Sequence, residues 1–160
     1  MPFTGEYEHT IDAKQRVAIP SDIRAMLVPE EHGSGFYAVE GSNGAIWIWP
    51  EATFKQMADA MVGSLLPDED LAEFEELYYS QASRLELDSA GRVRLTDRLL
   101  VGAGISKQVT ILGVRDHLEL RDPDDWSQRL AQRQANRDAI MKRAREAMRA
   151  QQQGAQTTTG

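Results

Sequence analysis

A five-residue motif occurs twice in this chain of 160 residues, and the repeat limits the possible folds more than any other feature of the sequence. The first copy is Asp12-Ala13-Lys14-Gln15-Arg16, and the second is Asp88-Ser89-Ala90-Gly91-Arg92. Apolar residues alternate with other residues around both copies, at Ile11, Val17 and Ile19 and at Leu87, Val93 and Leu95. Such alternation on both sides of a short polar link is typical of two strands joined by a tight connection. The sequence therefore predicts two similar halves, each with an Asp and an Arg in a loop between strands.

The Asp and Arg of each copy have two interpretations. They could form an ion pair that closes a turn, which contributes little stability when it is exposed to solvent. Alternatively, the loop presents the arginine to DNA, where a guanidinium binds guanine or a phosphate while the aspartate holds the loop. Spacing alone favours the ion pair. Gly91 suits a connection with positive φ, whereas Gln15 in the equivalent place must tolerate or avoid that conformation.

The first half predicts short strands around one short helix. Residues 5–12 and 16–19 predict a pair of strands, and Pro20-Ser21-Asp22 predicts the start of a helix that Pro29 ends. Residues 36–40 and 45–49 predict a hairpin around a Gly-rich turn. The second strand of this hairpin, which contains Trp47 and Trp49, is apolar on both faces. We expect it to be covered on both sides or to lie against another subunit.

After Pro50 the apolar residues change to a helical period. They predict two amphipathic helices with Leu65-Leu66-Pro67 between them. The first is marked by Phe54, Met57, Ala58, Met61 and Val62, and the second by Leu71, Phe74, Leu77 and Tyr78. Residues 51–80 also hold eight acidic side chains against one lysine. Three of these acids precede or begin the second helix, where negative charge is favourable. We expect this helical pair to separate the two halves.

The second half repeats the plan of the first. Residues 83–87, 92–95, 108–112 and 117–121 predict strands, with a short helix near Leu99. In the last strand Leu118 and Leu120 alternate with polar residues, which predicts a half-exposed strand. Pro123 predicts the start of a long helix, whose basic distal part could add phosphate contacts or pack against a neighbouring subunit.

The two motif copies and their surroundings resemble the MraZ family, whose chains carry two AbrB-like repeats with an Asp-x-x-x-Arg motif in each. The resemblance covers residues 1–130 and includes Phe3 to Asp12, Ile19-Pro20 before a short helix, Gly113-Val114-Arg115-Asp116-His117, and Asp122-Pro123. Gln15 stands where the family usually has glycine, and Thr96 where it usually has proline. The resemblance implies an α+β fold of two pseudo-symmetric AbrB-like βαββ repeats, a double-split barrel, with interleaved helices and a long C-terminal helix.

We divide the chain on this basis. Residues 1–55 form the first AbrB-like repeat, 56–81 the helical spacer and 82–126 the second repeat. Residues 127–150 form the C-terminal helix, and residues 151–160 are expected to be a disordered tail because they contain no core residues.

The resemblance also implies a function, because the motif arginine of the family binds DNA. The implied DNA-binding residues are Lys14, Arg16, Arg92 and Arg94. The implied loop-orienting residues are Asp12, Asp88, Gln15 and Gly91. Ala90 occupies the position of Lys14 in the second copy, so this loop should bind more weakly or in another way. Arg94 either compensates for this or is a solvated strand residue.

The resemblance implies a sequence-specific bacterial transcriptional regulator that binds double-stranded DNA and represses a division and cell-wall gene cluster including its own gene. It also implies ring-like homo-oligomers, which would bind regularly spaced short direct repeats by avidity. The alternative is an antitoxin-like or scaffold protein of the same fold without DNA binding. Gln15, Ala90 and the acidity of the chain favour this alternative.

Composition limits the other classes of function. The net charge of −7 argues against strong non-specific DNA affinity, although the acidic excess lies within residues 51–80. There is no cysteine and the three histidines are scattered, so we expect neither a metal site nor another cofactor. No catalytic motif appears, so we expect no enzyme and no small-molecule substrate. No apolar run approaches the ~20 residues that cross a bilayer, so we expect a cytoplasmic, nucleoid-associated protein with no membrane partner.

Overall fold

The computed structural model describes residues 2–61, 63–66 and 68–157. Val62 and Pro67, which the sequence places at the end of the first spacer helix and in the break that follows it, lie outside the described residues, as do residues 158–160 of the expected tail. The chain divides into two compact units, residues 1–123 and residues 124–160.

The first unit contains eight strands and five α-helices within the described residues. The strands are β1 Glu6–Thr10, β2 Arg16–Ala18, β3 Gly35–Glu40, β4 Ile46–Pro50, β5 Ser83–Glu86, β6 Arg92–Arg94, β7 Gln108–Val114 and β8 His117–Arg121. The helices are α1 Ser21–Met26, α2 Pro29–His32, α3 Glu51–Asp59, α4 Glu69–Ser80 and α5 Asp97–Gly102. A single 3₁₀ turn, Ser42–Gly44, joins β3 to β4.

Two antiparallel sheets join the two halves of this unit. The larger has six strands in the order β1-β7-β8-β4-β3-β5, and the smaller consists of β2 and β6. Each half therefore gives its first strand to the other half, since β1 pairs with β7 and β5 pairs with β3. This mixed α and β arrangement confirms the fold class predicted from the sequence.

The predicted pairing of residues 5–12 with residues 16–19 is wrong. Both segments contain strands, but β1 pairs with β7 and β2 pairs with β6. The pairing of β2 with β6 sets Val17 directly opposite Val93, and both side chains are buried. Pairing between the halves thus buries both apolar stripes in one core, which a local hairpin would leave exposed.

The helix boundaries depart from the sequence predictions in small ways. The first spacer helix, whose predicted apolar positions run as far as Val62, ends at Asp59. Pro29, expected to end the first helix, begins the short helix α2, where proline suits the first turn. Thr96 caps α5 by accepting a hydrogen bond from the backbone N–H of Leu99 at 3.3 Å, so the second half starts its helix with a side-chain cap where the first half uses Pro20.

Strand β8 was predicted to be half exposed, and this is wrong, because all five of its residues are buried. The rings of Trp47 and Trp49 lie against the ring of His117, with centroid separations of 4.5 and 4.4 Å. The polar side chains of β8 therefore lie under an aromatic cover supplied by the neighbouring strand β4. On this second face of β4, which the sequence left open to a partner subunit, Trp49 is buried and Trp47 is partly buried.

A chain of polar contacts links the buried polar side chains of β8. His117 Nε2 lies 3.1 Å from Glu119 Oε2, and His117 Nδ1 lies 3.0 Å from Asp116 Oδ1. Arg121 donates to Glu119 Oε1 at 3.2 Å and to the backbone carbonyl of Asn43 at 2.9 Å. Burial lowers the pKa of His117, but the hydrogen bonds to Glu119 and Asp116 and their negative charges outweigh burial, so the pKa is raised.

From Pro123 onward the sequence predicts one long helix, with a disordered tail from residue 151. The structure has two helices there, α6 Pro123–Ala135 and α7 Arg137–Thr157, separated at Asn136. The side chain of Asn136 donates to the backbone carbonyl of Gln132 at 3.0 Å. The helix α7 continues seven residues into the expected tail, to Thr157. Gln and Ala have good helix propensity, so the helical backbone can continue there without core contacts.

The contacts of His117 predict that the stability of the protein depends on pH. Because the pKa of His117 is raised from 6.5 in the folded state, its contribution is complete below pH 6.5 and is lost as the pH rises through the folded value. The free energy of unfolding, measured with urea, should therefore fall as the pH rises above about 6.5. Glu119→Gln removes the strongest contact that raises this pKa, and the fall should become smaller.

The matched control is Glu86→Gln, which removes an equal charge at an exposed carboxylate far from this contact chain. Glu86→Gln should keep the wild-type pH dependence. The same pH dependence in Glu119→Gln and wild type would contradict the role of this contact.

Candidate nucleic-acid interface

The first motif forms a compact loop around the carboxylate of Asp12. Its Oδ1 accepts hydrogen bonds from the backbone N–H groups of Lys14 and Arg16, both at 2.9 Å. Its Oδ2 accepts from Nε of Arg16 at 2.7 Å. Backbone bonds from Asp12 N to Arg16 O and from Gln15 N to Asp12 O, both at 3.0 Å, close the loop.

The second motif repeats these contacts atom for atom. Asp88 Oδ1 accepts from the backbone N–H groups of Ala90 and Arg92, both at 2.9 Å, and Asp88 Oδ2 accepts from Arg92 Nε at 3.0 Å. Asp88 N bonds to Arg92 O, and Gly91 N bonds to Asp88 O. The two loops therefore have the same internal geometry, although only Asp and Arg are identical in both.

A backbone with positive φ at the fourth position makes this loop possible. Gly91 has φ 77° and Gln15 has φ 64°. Gln15 thus adopts the conformation that favours glycine, at a cost of roughly 1–2 kcal/mol for a residue with a β-carbon. Its side-chain amide bonds to the carboxylate of Asp97 at the start of α5, which offsets part of this cost. Loop-orienting roles for Gln15 and Gly91 stay a prediction.

The aspartates of both loops are held in the charged form. The backbone N–H of Arg16 bonds to Asp12 and is the main cause of a lowered pKa of that carboxyl group, and the Arg16 guanidinium adds to it. Asp88 has a lowered pKa for the same reason, with the backbone N–H of Arg92 as the main cause. Each carboxylate therefore stays ionised at neutral pH and keeps its arginine in one orientation.

The two loops lie side by side because each is hydrogen-bonded to the other half. Ile19 N donates to Gly91 O, and Leu95 N donates to Gln15 O, both at 2.9 Å. Arg92 Nη1 also lies 3.9 Å from the carboxylate of Asp12 in the other loop. The predicted site residues, separated by the whole helical spacer in sequence, thus form one continuous surface.

The cations of this surface differ between the loops. Arg16 and Arg92 are half-buried and anchored through Nε, and Nη1 of Arg92 also faces Asp12. The terminal nitrogens of Arg16 and Nη2 of Arg92 make no other ion pair within the described residues. Lys14 in the first loop is exposed, and so is Arg94, which pairs with Arg16 in the β2–β6 register. Ala90 replaces Lys14 in the second loop, and Ala18 takes the position of Arg94 in the first.

Asp97 is a residue of this surface that the sequence did not indicate. It carries no motif signal, and it approaches Gln15 only because β2 and β6 bring the start of α5 next to the first loop. Across residues 2–61, 63–66 and 68–157, no group of three or more His, Cys, Asp and Glu side chains could hold a metal ion. Within the same residues, no helix is long and apolar enough to cross a membrane.

Two strand-exchanged halves around a pair of matching Asp–Arg loops define a two-repeat protein of the AbrB-like class. The family model described as "MraZ protein, putative antitoxin-like" matches residues 2–70 and 78–148. This chain therefore belongs to the MraZ family.

Three relatives of this chain share one name. The Transcriptional regulator MraZ of Finegoldia magna is 33% identical over 126 residues, which are 79% of this chain and 85% of the relative. That of Alkaliphilus metalliredigens is 32% identical over 126 residues, with the same coverage. That of Lactiplantibacillus plantarum is 32% identical over 138 residues, which are 86% of this chain and 94% of the relative. The protein is thus a member of a family of transcriptional regulators, which is not a class of enzymes.

Proposed function

We propose that this protein is a sequence-specific DNA-binding transcriptional regulator and that its two Asp–Arg loops contact the double helix. The observation that carries the proposal is the matching geometry of the two loops on one surface. A turn that needed only an ion pair for stability would not require the same fixed arginine twice, side by side. Membership of a family of transcriptional regulators supports the same function.

The chemistry of the loops suits DNA. Arg16 and Arg92 are each fixed at Nε by an aspartate, so little side-chain entropy is lost when the remaining donors bind guanine O6 and N7 or a phosphate. Lys14 is an exposed point charge that suits a phosphate contact. Arg94 is exposed beside the second loop, and we assign it a DNA contact as well. Asp12 and Asp88 orient the loops and do not themselves bind DNA.

We propose further that the protein acts as a ring-like homo-oligomer. Two loops per chain give too few base contacts for tight binding, so several chains would bind regularly spaced short direct repeats by avidity. The sequence suggested that the strand with Trp47 and Trp49 drives association, but these rings lie against His117 within the chain. The apolar surface of α4 supports association better, because Leu71, Phe74 and Leu77 are 52%, 44% and 72% exposed.

The place of action and the regulated genes follow from the family resemblance. We propose a cytoplasmic protein at the nucleoid that represses a division and cell-wall gene cluster including its own gene. The second candidate is an antitoxin-like or scaffold protein of the same fold without DNA binding. The observation that favours it is the acidic segment of residues 51–80, which opposes phosphate binding.

Fluorescence anisotropy of the protein with the duplex upstream of its own gene, compared with a scrambled duplex, tests DNA binding. The wild type should prefer its own duplex. Arg16→Ala and Arg92→Ala should each reduce that preference by about 1–3 kcal/mol, because a guanidinium–guanine contact is lost.

Arg115→Ala is the matched control, since Arg115 is 78% exposed at the end of β7 that lies away from the loops. It should bind as the wild type does. Equal binding of both duplexes by the wild type and both loop variants, or no binding at all, would make the loops structural and favour the interaction protein.

Light scattering of Leu77→Glu tests self-association. The wild type should have a mass several times the 17.9 kDa of one chain, and a buried carboxylate at the subunit contact should reduce that mass, since an unpaired buried charge is costly. Leu77→Met keeps the apolar surface and should keep the wild-type mass. A wild type that is monomeric at DNA-binding concentrations would contradict the oligomer.

A further inference from the structure

The second loop lacks the lysine of the first, yet another cation lies over it. Arg24 belongs to α1 in the first half of the chain, far from the second motif in sequence. Its Nε donates to the backbone carbonyl of Ile19 at 3.0 Å. Ile19 in turn donates from its backbone N–H to the carbonyl of Gly91 at 2.9 Å. Two hydrogen bonds therefore connect the Arg24 side chain to the second loop.

The guanidinium of Arg24 takes the space that a side chain at position 91 would need. A β-carbon at position 91 would lie 2.5 Å from Nη1 and 2.6 Å from Cζ of Arg24, both shorter than real contacts allow. The positive φ of 77° accounts for glycine at this position, whereas the flexible guanidinium of Arg24 could move aside for a β-carbon. Arg24 as a whole remains exposed to solvent.

The first loop has no equivalent of this arrangement. Counted from the motif arginine, Leu100 holds the position in the second half that Arg24 holds in the first, and Leu100 is a buried core residue. In the first loop the side chain of Gln15 starts from the place that corresponds to the Arg24 guanidinium, and it bonds to Asp97. The two loops therefore differ in where their additional cation comes from. The first loop has Lys14 and Gln15 at its third and fourth positions. The second has Ala90 and Gly91 there, and the guanidinium of Arg24 lies over Gly91.

We propose that Arg24 binds a backbone phosphate of DNA beside the second loop and supplies there the charge that Lys14 supplies beside the first. The inference rests on the proposed DNA-binding function. Nε is held by Ile19, so the two terminal nitrogens of the guanidinium can donate to phosphate oxygens with little further loss of side-chain freedom. With Arg24, the second loop has the cations Arg24, Arg92 and Arg94 around Asp88, and each half of the site holds a phosphate-binding residue.

The test is anisotropy with the upstream and scrambled duplexes over a series of salt concentrations. Arg24→Ala should weaken binding to both duplexes on the order of tenfold, since one charged hydrogen-bonding partner is lost. It should lower the slope of log affinity against log salt by about 1 and leave the preference for the upstream duplex unchanged. Arg115→Ala should change neither quantity.

A second substitution separates charge from structure. Ala90→Lys in the Arg24→Ala protein gives the second loop the lysine of the first, and it should restore the salt slope and most of the affinity. Urea unfolding of the same variants reports the loss of the Arg24 bond to Ile19, and this loss should remain in the double variant. Recovery of DNA binding without recovery of stability identifies the role of Arg24 as charge.

The outcomes distinguish this inference from the function on which it rests. An Arg24→Ala protein with the wild-type salt slope and affinity, in which Arg16→Ala still loses sequence preference, would overturn the role of Arg24 alone. Loss of affinity that Ala90→Lys does not restore would also overturn it. A wild type that binds neither duplex would overturn both.

Discussion

The surface formed by the two loops depends on one interaction that occurs twice. In each loop an aspartate accepts hydrogen bonds from two backbone N–H groups and from Nε of the motif arginine. In both loops this carboxylate defines the turn and orients the guanidinium. Its charge is stabilised mainly by backbone amides, which are fixed by the fold. The arginine is consequently held before any partner arrives, and preorganisation of this kind reduces the entropy lost on binding.

The two loops have the same backbone geometry, but their charged side chains differ. Reciprocal backbone bonds and the β2–β6 pairing unite the loops, and the exchange of β1 and β5 prevents either half from forming its sheet alone. In the second loop Lys14 is matched by Ala90, and Gln15 by Gly91. The guanidinium of Arg24 lies over Gly91 in the second loop, where the first loop has the side chain of Gln15. Under the proposed function, the two loops would contact DNA with different sets of cations.

The sequence predicted the loops, most strands and the helices between the two halves because these depend on local patterns. Apolar residues recur every second position in strands and every third or fourth position in helices. The sequence could not predict partners: alternation indicates a strand but does not say that β1 pairs with β7. Strand β8 was misjudged for a related reason. Its polar residues are buried because the rings of Trp47 and Trp49 and the carbonyl of Asn43 come from distant parts of the chain. In the candidate site, the motif residues were predictable, whereas Asp97 and Arg24 join it only through the pairing of the halves.

The central claim is that both loops together form the surface that contacts DNA. Hydrogen–deuterium exchange measured by mass spectrometry, with and without the duplex upstream of the gene, tests it most directly because it reports on every segment at once. The account predicts that the duplex slows exchange in peptides covering residues 12–19 and 88–95, and that the β7–β8 turn around Arg115 is unaffected. Slower exchange only outside both loops, for example in α4 alone, would contradict it.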